Sequence, residues 1–538
     1  MASLQSFHSL LFPSAEQEAA QTRPDLRDVF HDLLLEAIFV AAFGAFLPSE
    51  KPSLYVATRA DEDATYRAEV LKELRALFAS PLVNLDVVRY RQDALRDMQQ
   101  APVLLALQTF QRTLRTLRVY LRSAEKTNNA IEGQRWFVDA ALAYGQALDA
   151  LHRALMTADL QSQAMLALRQ YLAGLLASDA HTARMAEAQV LIEGLAQVRY
   201  AVRIDGSMVS VLQDPGEPDY TAIIVDTFAR FRQKEGKDYR AQFAPASELN
   251  HVEGQILDRV ALLYPELFDR LARFCKAQND FADACILRLD RDLAWFLCWI
   301  DFTQRFVTAG LPLCFPTLNA DSGHLDAHDA YDMALAQQCV EAQQPVVCND
   351  FTLLDEERML VITGANHGGK TTLARTIGQL HYIAALGLPV AARSASLLLC
   401  DRLFTHFERV EDINNQRGKL QDDLVRMHRI LASATPQSLV LMNEIFSSTT
   451  LDDALWLARR IMERLSAIGL TCVFVTFLDE LSTFDTHTVS MVASVDTQDP
   501  TMRTFKLVRR PADGQSYALA LARKYGVTRD QLLQKIAT

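Results

Sequence analysis

The feature that most constrains this chain is the glycine-rich segment Gly364–Thr371, GANHGGKT, which fits the pattern G-x-x-x-x-G-K-T. The apolar run Met359–Ile362 before it predicts a buried strand, and Thr371–Leu386 after it predicts a helix. Such a loop turns successive backbone N–H groups, and the start of a helix, toward a phosphate group. Because both flanks have the required pattern, we interpret the segment as a phosphate-binding loop and not as a chance glycine turn.

We expect this loop to bind the phosphates of ATP together with Mg²⁺. Lys370 would neutralise charge on the β- and γ-phosphates, and the Thr371 hydroxyl would bind the magnesium ion. The predicted nucleotide-binding residues are Gly364, Ala365, Asn366, His367, Gly368, Gly369, Lys370, Thr371 and Thr372.

A second apolar strand, Ser438–Glu444, ends in two polar residues. At the end of such a strand, the first polar residue usually holds the metal and its water, and the second orients or deprotonates the attacking water. Asn443 is therefore the candidate partner of Mg²⁺ through water, and Glu444 is the candidate general base. An amide brings no negative charge, so we expect weak Mg²⁺ binding and slow hydrolysis.

Beyond residue 346 the chain alternates strands and helices, which is typical of an α/β domain on a largely parallel sheet. The residues before it are mainly helical, with one predicted β-hairpin near 198–212 on the Asp205-Gly206 turn. We divide the chain into an N-terminal helical segment (1–80), a helical core region (81–345) and the α/β domain (346–538). The predicted strands of the α/β domain are Arg358–Thr363, Leu397–Leu399, Leu403–Glu408, Leu439–Met442, Cys472–Thr476, Val489–Val495 and Phe505–Val508.

Composition narrows the class of protein further. A length of 538 residues predicts two or three domains, and a net charge of −12 argues against bulk attraction to nucleic acid. The most apolar run, Leu33–Leu47, is short for a bilayer crossing, so we predict a buried helix and no membrane partner. The N-terminus lacks the basic start of a secretory signal, and the eight cysteines form no CxxC pair. We therefore expect a cytoplasmic protein.

Four segments resemble the MutS family of DNA mismatch repair ATPases. The segment Cys348–Thr372 is similar to that family's P-loop region, and Ile383–Asp412 is similar to its segment ending in a D-R-[IL]-F-T strand. SLVLMNE resembles the family's SLVLMDE, and Asp513–Val527 resembles its closing segment. The resemblance implies a MutS/ABC-like P-loop ATPase domain, preceded by a helical core with lever helices. The segment Pro81–Met98 is similar to the start of that helical core.

Several departures from the family pattern cluster where hydrolysis would be controlled. A family segment S-T-F-M-x-E, which a partner subunit presents to the γ-phosphate, aligns here with Gly418, Lys419, Leu420 and Asp423. The family's threonine-histidine pair becomes Thr476-Phe477. The resemblance implies a homodimer, with trans-site candidates Gly418, Lys419, Ser447, Ser448, Thr449 and Thr450.

The family's mismatch reader, a Phe-x-Glu motif, has no counterpart before residue 50. We therefore expect a compact MutS-related ATPase that binds double-stranded or branched DNA by structure and not by mismatch. The alternative is a nucleotide-dependent protein scaffold or sensor with little DNA affinity. An arginine stripe on one predicted helix face is either a phosphate-tracking surface or a solvated face paired with acidic neighbours; it consists of Arg112, Arg115, Arg118 and Arg122.

Overall fold

The computed structural model describes residues 7–22, 24–44, 57–206, 208–214, 216, 249–320, 324–408, 418–495, 503–512 and 528–529, without the side chains of residues 57–65. Within these ranges, the helices all fall short of the length and apolarity that a membrane crossing requires. The segment Asp513–Val527, which resembles the family's closing segment, lies outside the described residues.

The described N-terminal part is helical. Its helices are α1 (Ala15–Ala19), α2 (Arg27–Asp32), α3 (Leu35–Phe43), α4 (Ala57–Phe78) and α5 (Leu85–Met98). Helix α3 lies within the apolar run and buries Ile38, Phe39 and Phe43, of which Phe43 stacks on Trp295 with ring centroids 5.3 Å apart. The described part of the run thus contains a helix with one buried face, as predicted.

Long helices follow: α6 (Ala101–Lys126), α7 (Ala130–Thr157), α8 (Gln163–Leu176) and α9 (Asp179–Gln197). Helix α6 buries residues at spacings of three and four, which gives it one continuous apolar face against α7. Helix α7 begins where the Asn129 side chain accepts hydrogen bonds from the N–H groups of Ile131 and Glu132. Helices α6 and α7 thus pack along each other.

The predicted hairpin follows α9. Strands β1 (Tyr200–Asp205) and β2 (Met208–Gln213) pair antiparallel, with Asp205 opposite Met208 and Gly206 at φ 59° in the turn. Three further helices complete this part of the described chain: α10 (His251–Leu263), α11 (Pro265–Ala277) and α12 (Ala284–Thr308).

The C-terminal part alternates strands and helices. Its elements are β3 (Thr317–Asn319), β4 (Leu325–Ala330), α13 (Met333–Glu341), β5 (Asn349–Leu353), β6 (Met359–Gly364), α14 (Lys370–Ala385), β7 (Ser394–Leu398), β8 (Leu403–Phe407), α15 (Lys419–Ser433), β9 (Leu439–Asn443), α16 (Leu451–Ile468), β10 (Thr471–Val475), a 3₁₀ turn (Asp479–Thr483), β11 (Thr488–Val495) and β12 (Arg503–Arg509).

These strands form two sheets. The larger has the order β12-β11-β6-β10-β9-β8 and is parallel except for the antiparallel edge strand β12. The smaller has the order β3-β7-β4-β5. The strand predicted at Leu397–Leu399 therefore exists as β7 but belongs to the smaller sheet, whose strands β3, β4 and β5 were not predicted. Polar and small residues interrupt the apolar pattern of these strands, as in LDAHDA of β4.

The described chain divides into two compact units, 1–7, 97–161 and 165–290 in the first, and 8–96, 162–164 and 291–538 in the second. The second unit joins the N-terminal helices to the α/β elements through α14. The Gln379 amide donates to the Leu33 carbonyl (3.0 Å) and to Asp332 (2.9 Å), and the Tyr382 hydroxyl donates to the Phe78 carbonyl at 2.5 Å. The predicted division at residues 80 and 345 stays a prediction.

Candidate functional site

The glycine-rich loop joins the centre of the larger sheet to a buried helix. Strand β6 lies between β10 and β11, and its first five residues are buried because both faces of a parallel sheet are covered. Helix α14 begins directly after the loop, with Gly369 as its N-cap. The N–H groups of its first turn have no partner within the helix and are available to an anion.

Three glycines give the loop its shape. Gly364 (φ 107°) and Gly369 (φ 91°) have left-handed backbone angles that other residues adopt only with strain. A Cβ atom on Gly368 would lie 2.8 Å from the Cβ of Ala493, and one on Gly364 would lie 2.9 Å from the Ala493 nitrogen. The glycines therefore let the loop pack directly on β11.

Two further loop residues lie at the surface. Asn366 and His367 are exposed, and His367 has a positive φ of 59°. Arg503, on β12, donates from Nε to the Asn366 carbonyl at 3.1 Å. This bond ties the tip of the loop to the edge of the sheet.

Lys370 points back across the loop. Its Nζ donates to the Gly364 carbonyl at 3.0 Å and to Asn366 Oδ1 at 3.4 Å, and it lies 3.6 Å from a carboxylate oxygen of Glu444. Burial lowers the pKa of Lys370, and the nearby Glu444 carboxylate opposes that effect. A buried ammonium held by partial and full negative charges is suited to neutralise phosphate oxygens.

Asn443, the last residue of β9, and Glu444, which follows it, lie beside the loop. The Thr371 hydroxyl donates to Asn443 Oδ1 at 2.9 Å, and Asn443 is only 7% exposed. Glu444 has φ 51° and is anchored by a hydrogen bond from its N–H to the Val475 carbonyl at 2.9 Å. A hydroxyl, and an amide oxygen that bonds a metal-bound water, suit Mg²⁺, so Thr371 and Asn443 fit the ion, with one negative charge fewer than an aspartate at 443 would supply.

The trans-site candidates are held by contacts within the same chain. Lys419 forms an ion pair with Glu408, and the Ser447 hydroxyl donates to the same carboxylate at 2.9 Å. The Lys419 ammonium is the main reason that the pKa of Glu408 lies below its ordinary value. The sequence reasoning missed Glu408, although its place at the end of a predicted strand could have pointed to it.

The remaining candidates in this region have local structural roles or lie at the surface. Gly418 is the exposed N-cap of α15, and Thr450 caps α16 by accepting from the Asp453 N–H. Thr449 also donates to Asp453 (3.4 Å), while Ser448 is exposed. These contacts explain the helix start at residue 451.

Asp423, which aligns with a family glutamate, is buried. Its carboxylate bonds to His406 Nε2 at 3.0 Å and accepts from the Phe446 N–H at 3.3 Å. Phe446 has φ 63°, so Asp423 stabilises the strained turn after β9. Directly after the neighbouring strand β10, Thr476 is buried and Phe477 is 45% exposed, an apolar group where the family pattern has histidine.

The arginine stripe lies on α6 in the first unit and is not uniform. Arg112 and Arg115 are exposed and bond to uncharged groups of their own helix. Arg118 forms an ion pair with the buried carboxylate of Asp290, and Arg122 is half-buried. Arg118 therefore fits the paired interpretation, and of the four arginines Arg112 and Arg115 are the exposed ones.

Comparison with known families assigns the domain that holds this site. Residues 360–535 match the family model described as MutS domain V. The match covers a third of the chain and begins at the second residue of β6. It therefore includes the P-loop, Asn443 and Glu444. MutS domain V is a P-loop ATPase domain of a DNA-repair family, so the match supports membership of that family and indicates an ATP-binding protein.

Proposed function

We propose that this protein is a compact MutS-related ATPase that couples slow hydrolysis of ATP, and dimerisation, to structure-specific DNA binding. The observation that carries the ATPase part is the hydrogen bond between Thr371 and Asn443, which joins the P-loop to the end of β9. The distance of 3.6 Å between Lys370 Nζ and a carboxylate oxygen of Glu444 supports it further, because a cation and a carboxylate then lie beside the same loop.

In this proposal each residue has a separate task. The loop N–H groups and Lys370 bind the phosphates, and Thr371 and Asn443 hold Mg²⁺, Asn443 through water. The ion would supply charge stabilisation to the phosphates. Glu444, whose side chain is 31% exposed, would accept the proton of the attacking water. Because Asn443 is uncharged, we expect a high Mg²⁺ requirement.

Dimerisation would complete each site with residues of the second copy. Lys419 and Ser447 lie together on Glu408, at the end of β8 beside the end of β9. A lysine presented to the γ-phosphate would stabilise negative charge that a serine cannot. Light scattering with ATP and Glu444→Gln, which holds the bound state, should give a mass near twice 60.3 kDa. A monomer under every nucleotide condition would contradict dimerisation.

The DNA part rests on family membership and on the exposed guanidinium groups of Arg112 and Arg115. A second candidate function, a nucleotide-dependent scaffold with little DNA affinity, is favoured by the β1–β2 hairpin. On one of its faces Tyr200, Val202, Ile204, Val209 and Val211 lie side by side, and Ile204 is 72% exposed. An exposed apolar face of this kind is typical of a protein-binding surface and not of a phosphate-binding one.

One experiment separates the two functions. ATP hydrolysis is measured without nucleic acid and with homoduplex, single-mismatch duplex, four-way junction or RNA, using Lys370→Ala as the inactive control. The ATPase proposal predicts slow Mg²⁺-dependent turnover that Lys370→Ala removes. The DNA proposal predicts that the four-way junction changes the rate of hydrolysis. It also predicts that matched and mismatched duplexes affect the rate to the same extent. A rate insensitive to every nucleic acid, with no binding in anisotropy titrations, favours the scaffold.

A further inference from the structure

The turn that carries Glu444 has an unfavourable backbone conformation. Glu444 and Phe446 have positive φ angles of 51° and 63°, which a residue with a Cβ atom adopts only at a cost in free energy. Such angles persist only where surrounding contacts hold them, and they are common where a side chain must be aimed at a functional site. The direction of the Glu444 carboxylate therefore depends on what holds this turn.

Two hydrogen bonds hold the backbone of the turn. The Glu444 N–H donates to the Val475 carbonyl of β10 at 2.9 Å, and the Phe446 N–H donates to Asp423 Oδ2 at 3.3 Å. Of these two bonds, only the second has a side-chain acceptor, so a substitution can remove it. The bond is buried, and its loss would leave the Phe446 N–H without a partner.

Asp423 is itself held in one orientation. It lies on α15 and is buried, and its Oδ1 lies 3.0 Å from Nε2 of His406, a fully buried residue of β8. An ionised carboxylate only accepts hydrogen bonds, so the His406 ring donates from Nε2. Its Nδ1 has no hydrogen-bond partner among the described residues. Apolar residues of similar volume often fill buried positions of this kind with no loss of stability, so the pair is better explained by the turn that it holds.

A second carboxylate holds the next residue of the turn, but more weakly. Glu408 accepts from the Ser447 hydroxyl at 2.9 Å and forms an ion pair with Lys419. This contact is exposed, and exposed ionic contacts contribute little to stability. The buried bond to Asp423 is therefore the stronger side-chain restraint on the turn.

We infer that Asp423, oriented by His406, is a positioning residue for the candidate base Glu444. Asp423 fixes the backbone of the turn, and the turn directs the Glu444 carboxylate toward the water that it deprotonates. The inference rests on the proposed ATPase function and adds two residues outside the P-loop and the metal-binding end of the site. A misplacement of about 1 Å can slow a reaction about a hundredfold, so loss of the restraint should slow hydrolysis and leave ATP binding unchanged.

Single-turnover hydrolysis and ATP affinity, both measured with the full chain, test this role. Asp423→Leu approximately keeps the volume and removes the acceptor of the Phe446 N–H. We expect it to lower the single-turnover rate about ten- to a hundredfold, while ATP affinity measured by calorimetry stays within about twofold. Asp423→Asn should keep the rate within about threefold of wild type, because its amide oxygen can accept from Phe446 and its amide N–H can donate to the other tautomer of His406.

Substitutions of His406 give an independent comparison that does not alter Asp423. His406→Gln retains a side-chain N–H that can donate to the carboxylate, so it should keep the rate within about threefold of wild type. His406→Leu removes that donor and should lower the rate about tenfold or more. If Asp423→Leu does not fold, as judged by its melting curve, this pair decides the outcome.

Asp401→Leu is the matched control. Asp401 accepts hydrogen bonds from the hydroxyls of Thr435 and Ser438, near the end of β9 opposite to Glu444. Its substitution also removes a carboxylate with two donors, so it should lower the melting temperature but leave the rate of hydrolysis unchanged.

Three results would overturn the positioning role. They are a rate for folded Asp423→Leu, or for His406→Leu, within about twofold of wild type; an equal loss of rate in Asp401→Leu; and a loss of ATP affinity as large as the loss of rate. Absence of hydrolysis by the wild-type protein would instead refute the proposed ATPase function, and the positioning role with it. Failure of the inference alone is therefore distinguishable from failure of the proposed function.

Discussion

Replacing Asn443 by aspartate tests the assignment of the metal-binding end of the site. In the structure the Thr371 hydroxyl donates to Asn443 Oδ1 at 2.9 Å, and an aspartate of the same shape would accept that bond and add a negative charge. The substitution changes charge with almost no change in volume. Asn443→Asp should therefore strengthen Mg²⁺ binding and raise the rate of hydrolysis at low Mg²⁺.

The size of the effect follows from the position of the side chain. Unit charges 4 Å apart interact by about 4 kcal/mol near a protein surface, but Asn443 acts through a water molecule and so at a longer distance. Asn443 is 7% exposed, and burying a carboxylate there offsets part of the gain. Groups that act on a metal through its water change affinity about 10–100-fold. We expect the half-saturating Mg²⁺ concentration to fall by about that factor.

The assay is ATP hydrolysis at constant ATP across a Mg²⁺ titration. Asn84→Asp is the matched control, because it adds the same charge at a helix start away from the site, where Asn84 Oδ1 already accepts from the Asp86 N–H. Asn443→Ala, which removes the amide oxygen, should raise the Mg²⁺ requirement. If Asn443→Asp and wild type reach half-saturation within about twofold of each other, Asn443 does not act on the metal.

Three further predictions concern Glu444, Lys370 and the exposed arginines of α6. Glu444→Gln should abolish hydrolysis in single-turnover assays while ATP affinity is kept, and an active variant would exclude Glu444 as the base. Burial lowers the pKa of Lys370, and a bound phosphate favours the charged form of its ammonium group. ATP binding at alkaline pH should therefore be accompanied by proton uptake, which calorimetry in buffers of different ionisation enthalpy measures. Arg112→Ala with Arg115→Ala should weaken binding of every DNA alike and lower the salt slope by up to about two; an unchanged slope would remove α6 from the DNA surface.

Local patterns were sufficient to predict the strand before the glycine-rich loop. The run MLVIT is apolar at every position but the last, so it predicts a buried strand, and β6 is that strand. The two polar residues after SLVLM made Asn443 and Glu444 candidates, and in the structure Asn443 accepts a hydrogen bond from Thr371; their roles stay predictions. In both cases the chemistry depends on residues adjacent in sequence, and parallel strands bring their carboxyl ends to one edge of the sheet.

Contacts between distant segments were beyond sequence patterns. Gln379 bonds to the Leu33 carbonyl across 346 positions, so nothing local indicated that residues 8–96 pack with the α/β elements. The polar interruptions in β4 concealed the smaller sheet. Glu408 was overlooked because its role depends on Lys419 and Ser447, which reach it only after the strands and α15 are in place.

The position of Lys419 raises the question of which subunit it serves. It is paired with Glu408 of its own chain, so it either remains a structural cation or exchanges that partner for a phosphate of the second copy. An ion pair at side-chain exposures of 25% and 37% costs little to break, since such pairs contribute about 0–1 kcal/mol. The exchange is therefore energetically accessible to a nucleotide-bound dimer.

Mixing two inactive variants distinguishes these alternatives. Lys370→Ala should lack ATP binding but keep Lys419, and Lys419→Met should bind ATP but lack the lysine needed by its partner. In a mixed dimer the Lys419→Met subunit would bind ATP and receive Lys419 from the Lys370→Ala subunit, so we expect activity to return to up to about a quarter of the wild-type rate, for random pairing and one working site per mixed dimer. Full activity of Lys419→Met alone, or a mixture that stays inactive, would show that Lys419 does not act across the dimer.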